Sequence, residues 1–123
     1  MDLNKMTMKS QEALQTAQSI AVQRGHQDIS TEHLMVALLA NETDLIPRLF
    51  NNMNIPISTI KDRLDRILAT LPRVSGPGLT PDKFYVSQEL SEILVSAEEE
   101  MKALKDEYLS VEHLVLAILK RGA

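Results

Sequence analysis

Two Glu-His pairs, Glu32-His33 and Glu112-His113, are the residues in this 123-residue chain best suited to acid-base chemistry or metal binding. Imidazole titrates near neutral pH, and both side-chain types ligate cations. Adjacent residues on a helix nevertheless point in different directions, and neither pair has the HExxH spacing that puts two imidazoles on one face. No cysteine is present to complete a zinc set, form a disulfide or act as a nucleophile. The hydroxyls of Thr7, Ser30, Ser87 and Ser110 each stand just before an apolar-periodic stretch, where an N-cap accepts hydrogen bonds from free backbone N–H groups; their spacing assembles no Ser-His-Asp arrangement. Glu98-Glu99-Glu100 spreads around a helix with Glu98 facing Lys102, which makes a solvated face. Glu32 and Glu112 suit the positive first turn of a helix, while His33 and His113 suit partly covered turns that hydrogen-bond across a helix junction. His26 reads as a loop residue. Neither GxxxxGK[ST] nor GxGxxG occurs, and no catalytic, cofactor-binding or metal-ligating residue is assigned.

The elements that position these residues are helical. Ala13, Leu14, Ala17, Ile20 and Ala21, with Met8, recur at three- and four-residue spacing and predict a helix over 8–24, started by Thr7 and ended by Gly25. Ser30 and Glu32 start a second helix over 31–40 built on Leu34, Ala37 and Leu38. Leu45, Ile46, Leu49, Phe50 and Met53 mark a short third helix that Asn51, Asn52 and Asn54 help to end. Ile57, Ile60, Leu64, Ile67 or Leu68, and Leu71 mark a fourth, with Lys61–Asp65 and Asp62–Arg66 as charge pairs one turn apart, stopped by Pro72. The Gly- and Pro-containing stretch around 72–86 predicts a link. A second long helix follows Ser87, with Leu90, Ile93, Leu94, Ala97, Met101 and Leu104 on one face; Val111–Lys120 forms the last.

Composition agrees with this and limits the partners. Hydrophobic residues make up 44% and aromatics only 3%, with six Met, a mixture that packs as an all-helical core of small and flexible side chains. A net charge of -4 provides no basic excess for nucleic acid or anionic membranes, and no long uncharged apolar run marks a membrane span. A single cytoplasmic domain over 1–123 is the expectation.

Displacing the chain by 80 residues lays Thr7 on Ser87, Ala13-Leu14 on Ile93-Leu94, Ala17 on Ala97, Ala21 on Met101, and Ile29-Ser30-Thr31-Glu32-His33-Leu34 on Leu109-Ser110-Val111-Glu112-His113-Leu114. Ala37 and Leu39 meet Ala117 and Leu119. Cap, packing residue, turn and following helix recur in the same order, which indicates duplication. Repeat one covers about 7–71, a linker about 72–86 and a shortened repeat two about 87–121. Two copies that face each other bury both apolar faces in a pseudo-two-fold bundle.

The recurring pair IS-x-EHL and LS-x-EHL, with the preceding Ala-rich helix, resembles the N-terminal repeat domain of Clp-type AAA+ chaperones. The start Met6-Thr7-x-Lys9-Ser10-x-x-Ala13-Leu14-x-x-Ala17 and the stretch Leu71-Pro72-x-Val74-x-Gly76 are most similar to the ClpB-like disaggregase branch. The resemblance spans nearly the whole chain. It implies a non-catalytic appendage that engages unfolded or aggregated protein and assists its delivery to the AAA+ ring of the parent chain, with adaptors or cooperating chaperones as further partners. ATP and magnesium belong, on this resemblance, to AAA+ domains outside this sequence; the parent is a homohexamer and the isolated domain a monomer. Counterparts of residues 44–71 are absent from the second copy, so the chain is expected to be a shortened or atypical form of the domain. An adaptor-binding role, as in protease-associated Clp unfoldases, is the alternative, and an independent hydrolase a more distant one. Candidate client or interdomain contacts are Leu45, Leu49, Phe50, Leu79, Phe84 and Tyr85, with Phe84 and Tyr85 as the preferred exposed pair. Thr7, Asp106 and Glu112 form a polar set if the repeats bring their helix ends together.

Overall fold

The computed structural model describes residues 3–73 and 85–121. A 3-10 turn at Leu3–Lys5 leads into α1 (Met8–Arg24), followed by α2 (Thr31–Leu39), α3 (Leu45–Asn52), α4 (Ile57–Thr70), α5 (Gln88–Ala103) and α6 (Val111–Lys120). Among the described residues the only other regular features are two isolated β-bridges, so the fold is all-α, as the periodicity predicts.

Several helix boundaries have a local cause. Thr7, Ser30 and Ser87 are extended, and their hydroxyl oxygens accept from the N–H groups of Ser10 (3.2 Å), His33 (3.4 Å) and Leu90 (3.1 Å). Gly25 ends α1 at a left-handed φ of 70°, so that its N–H reaches the Val22 carbonyl and the next N–H, of His26, reaches Ala21. The same two bonds end α5, from Lys105 to Lys102 and from Asp106 to Met101, although Lys105 carries a Cβ at φ 59°. Asn54, also at φ 59°, ends α3 and lets the Ile55 N–H reach the Phe50 carbonyl. Pro47 fits in α3 because it sits in the first turn, where an N–H has no intrahelical partner to lose.

α1 packs on α2, α5 on α6, and the α3–α4 hairpin folds back onto α2. The buried rows Ala13, Leu14, Ala17, Ala21 of α1 and Ile93, Leu94, Ala97, Met101 of α5 are related by the 80-residue displacement. Leu34 and Leu114, the leucines of the two EHL motifs, are fully enclosed in one continuous core. Burying one such side chain is worth about 1.5–3 kcal/mol.

The two halves also clasp each other through the backbone. Ile29 pairs with Val86, and Met6 with Leu109, in parallel bridges that the same displacement interchanges. In the first, the Ile29 N–H donates to the Tyr85 carbonyl and the Ser87 N–H to the Ile29 carbonyl, both at 2.9 Å. In the second, the Leu109 N–H donates to Lys5 (2.7 Å) and the Thr7 N–H to Leu109 (3.0 Å). The segment entering each repeat is therefore bonded to the turn before the other repeat's second helix.

Several local expectations change, among them these three. Met8 is exposed, because it precedes the row at 13, 14, 17 and 21 that faces the core. Asp65 pairs with Arg24 at the end of α1 and so ties α4 to α1, where a pair with Lys61 within α4 was expected. Of Ile67 and Leu68, Leu68 is the buried one.

Candidate functional site at the junction of the repeats

Because the Met6–Leu109 bridge brings the start of α1 beside the start of α6, a cleft of about 570 Å³ opens between the repeats. Ala13, Leu38, Leu45, Ile46 and Val111 supply its apolar surface, and Thr7, Lys9, Glu12, Asp44 and Glu112 its polar positions. The Ser10 hydroxyl donates to the Leu109 carbonyl at 3.0 Å, from a fully buried position, and fixes this junction from below. Lys9 reaches Asp44 at 3.3 Å and Glu12 at 3.7 Å. Asp44 first, then Glu12, hold its ammonium above the usual lysine value. With the one lysine answered by two carboxylates, Glu112 leaves the rim acidic. An apolar surface with charged edges is what a reversible binder of extended chains requires.

A second groove, of about 680 Å³, lies between the α3–α4 hairpin and α6. Leu49, Phe50, Met53, Leu64 and Ile67 form one wall, Val115, Leu116 and Leu119 the other, and Glu32, Arg63 and Glu112 stand at its edges. Glu112 thus borders both depressions. Leu119 is 58% exposed, whereas its repeat-one counterpart Leu39 is fully buried under the hairpin.

The histidines do structural work away from both depressions. The Ser30 N–H donates to His33 Nδ1 at 2.8 Å, so His33 carries its proton on Nε2, which lies 2.7 Å from His26 Nδ1. His26 and Leu68, near the end of α4, line a common hollow. The expectation that His26 is a plain loop residue is corrected: it is 4% exposed, because Gly25 turns the chain inward and the ring fills the angle between α2 and α4. Burial first, then the nearby His26 and Arg24, lower His33 to about 4. Burial, Arg24 and Arg73 likewise lower His26, against the Leu68 carbonyl. In repeat two the Ser110 N–H donates to His113 Nδ1 at 2.8 Å, and His113 Nε2 donates to Asp106 Oδ2 at 2.8 Å. His33 and His113 are thus enclosed in the core, beyond the partial cover expected, while their bonds across the helix junction are of the expected kind.

The sequence-predicted contacts divide accordingly. Thr7, Leu45 and Glu112 meet in the inter-repeat cleft; Leu49 and the largely buried Phe50 line the second groove. Asp106 is not among the cleft residues and serves His113 instead. Tyr85 is 51% exposed beside the Ile29 bridge, and Leu79 and Phe84 lie outside the described residues. Sequence reasoning missed Lys9, Asp44 and Val111 of the cleft and Met53, Leu116 and Leu119 of the groove. The last two had a signal, being leucines off the buried row of α6. Among the described residues no cluster of three or more His, Cys, Asp or Glu side chains is placed to hold a metal ion, and no helix is long and apolar enough to cross a membrane.

The duplicated helical bundle carries two EHL turns, reciprocal clasps and an open apolar junction, and comparison with known proteins gives its family. Residues 5–123 match the family model described as the Clp repeat (R) N-terminal domain, and the chain belongs to that family. Chaperone protein ClpB of Nitratidesulfovibrio vulgaris (strain Hildenborough) is 45% identical over 123 residues, a match that covers all of this chain and 14% of that protein. The fold is shared with the N-domain of ClpV from Vibrio cholerae (TM-score 0.82, 21% identity, 98% of this chain and 69% of that one). It is shared too with a complex of a ClpV N-domain with a VipB peptide (TM-score 0.76, 23% identity, 98% and 71%). The chain is therefore similar to the non-catalytic N-terminal domain of ClpB-like chaperones and spans about a seventh of the length of such relatives.

Proposed function

We propose that this domain takes up exposed apolar segments of unfolded or aggregated proteins in the cleft between its repeats and presents them to the AAA+ ring of a ClpB-like parent chain in the cytoplasm. The observation that carries this reading is the cleft itself: an apolar surface contributed by both repeats and rimmed by charges. A ClpV N-domain of the same fold accommodates a VipB peptide, which supports peptide capture as work this architecture can perform. ATP and magnesium act in the parent's ring, which works as a homohexamer, while this domain contributes binding alone and is a monomer when isolated.

The test is an amide-shift titration of the isotope-labelled chain with a reduced, alkylated, permanently unfolded protein, and separately with a folded adaptor. Shifts around Thr7, Leu45 and Val111 on adding the unfolded protein are expected. Leu45→Asp should weaken that binding at least tenfold while the helical circular dichroism stays unchanged. Tight binding of the adaptor with no response to the unfolded chain would overturn the client reading in favour of adaptor recognition.

A further inference from the structure

The His26–His33 pair joins the turn after α1 to the first turn of α2, and the buried His26 ring lines a hollow with Leu68, Ala69 and Leu71 at the end of α4. In the neutral state the contacts of the pair are matched donor to acceptor. His33 Nδ1 accepts from the Ser30 N–H, with the Ser30 hydroxyl also at 2.8 Å; His33 Nε2–H donates to His26 Nδ1; and the proton of His26 is on Nε2. An added proton has only two nitrogens to occupy. On His26 Nδ1 it confronts the N–H of His33 across 2.7 Å, and on His33 Nδ1 it displaces the Ser30 N–H. Either way a buried bond becomes a donor facing a donor, and the contact must break.

We propose that this pair is an acid-released latch that holds the α3–α4 hairpin against α1 and α2. The hairpin packs on α2, and besides the latch the Arg24–Asp65 ion pair ties α4 to the end of α1. The charges that act on the two rings are Arg24 from α1 and Arg73 beyond α4, with Asp65 of α4 engaged by Arg24. Both arginines oppose a further positive charge inside, so protonation favours the open arrangement, in which water reaches the rings. Opening moves Leu45, Ile46, Leu49 and Phe50, which wall both depressions, so the latch couples solution acidity to the shape of the binding surface. The inference does not depend on what those surfaces bind.

Repeat two provides the internal control, since Asp106 stands where His26 stands in repeat one. Hydrogen exchange of the intact chain, corrected for intrinsic rates, is expected to show the α4 amides opening up to about tenfold more per pH unit, for each proton taken up, as pH falls from about 6.5 toward 4. The α5 amides should stay comparatively unchanged. Imidazole nitrogen shifts in the same samples should show His33 protonated on Nε2 at pH 7. His26→Asn keeps an acceptor for His33 without a second titrating ring, and should flatten the dependence severalfold. The proposal is overturned if α4 and α5 amides respond alike across this range in the unmodified chain, or if a folded His26→Asn protein keeps the full response.

Discussion

At the turn between its first two helices repeat one has Gly25, His26 and His33; repeat two has Lys105, Asp106 and His113 at the equivalent positions. The backbone bonds are the same in both turns, and in both a serine N–H fixes the histidine tautomer through Nδ1. The partner of Nε2 differs: a buried ring in one half, a half-exposed carboxylate in the other. The helix-ending residue differs as well, glycine against a lysine that tolerates a left-handed conformation. A duplicated fold thus keeps the hydrogen-bond plan of its turn while the side chains that complete it diverge, and the divergence sets how each half responds to acid and to substitution.

The largest contrast is expected between Leu39→Ala and Leu119→Ala. Leu39 is enclosed beneath the hairpin, so its truncation should cost about 2–5 kcal/mol, the range for a buried leucine. Leu119 stands open, and its truncation should cost less than about 0.5 kcal/mol. Urea unfolding of the two variants measures both, and equal losses would mean that the second groove is closed in solution.

The histidines provide the next contrast. His33→Ala should destabilise by about 3 kcal/mol, since it removes a packed ring and leaves the Ser30 N–H and His26 Nδ1 without partners. His113→Ala should cost roughly 1 kcal/mol less, because Asp106 can return to water. The pH dependence has a definite sign. His33 is lowered to about 4 from an unfolded value near 6.5, so its contribution is complete above pH 6.5 and is lost as pH falls from there to about 4. The slope is at most about 1.4 kcal/mol per pH unit. Thermal unfolding at several pH values should show this slope in the unmodified chain and a shallower one in His33→Ala, where His26 remains.

The smallest effect is at the helix ends. Lys105→Gly should stabilise by about 0.5–1 kcal/mol by removing a Cβ from the left-handed region, and Gly25→Ala should destabilise by about 1 kcal/mol. If Lys105→Gly destabilises instead, the lysine stem contributes packing that outweighs its backbone cost.

The helices were legible because they rest on short-range physics: apolar rows every three or four residues, a capping hydroxyl before α1, α2 and α5, and a left-handed residue after α1, α3 and α5. Thr7, Gly25, Ser30 and Ser87 lie where that reasoning places them. The displacement of 80 residues was enough to pair the two EHL motifs and to place Leu34 and Leu114 together in the core. The site was less legible. Thr7, Leu45 and Glu112 come together only through the Met6–Leu109 bridge, a contact between residues far apart in sequence that no periodicity encodes. His26 was hidden for a different reason: it lies outside any helical row, so nothing local distinguishes a buried ring from a solvated one. Asp65 shows the same limit, since spacing gave it Lys61 and folding gave it Arg24; Asp106, expected to cluster with Thr7 and Glu112, bonds His113 instead.

The reciprocal clasps bear on how such a chain matures during synthesis. Ser10 bonds to the carbonyl of Leu109, 99 positions later, and Thr7 and Lys5 bond to the same residue. While a ribosome is still making the second half, the Thr7 N–H and the Ser10 hydroxyl lack the Leu109 carbonyl, and the first four helices expose the face that repeat two will cover. Contacts between such distant positions form slowly compared with helices. The N-terminal half of this small bundle therefore waits, unfinished, for the arrival of Leu109, and during that interval it presents to its surroundings the kind of apolar surface that chaperones themselves recognise.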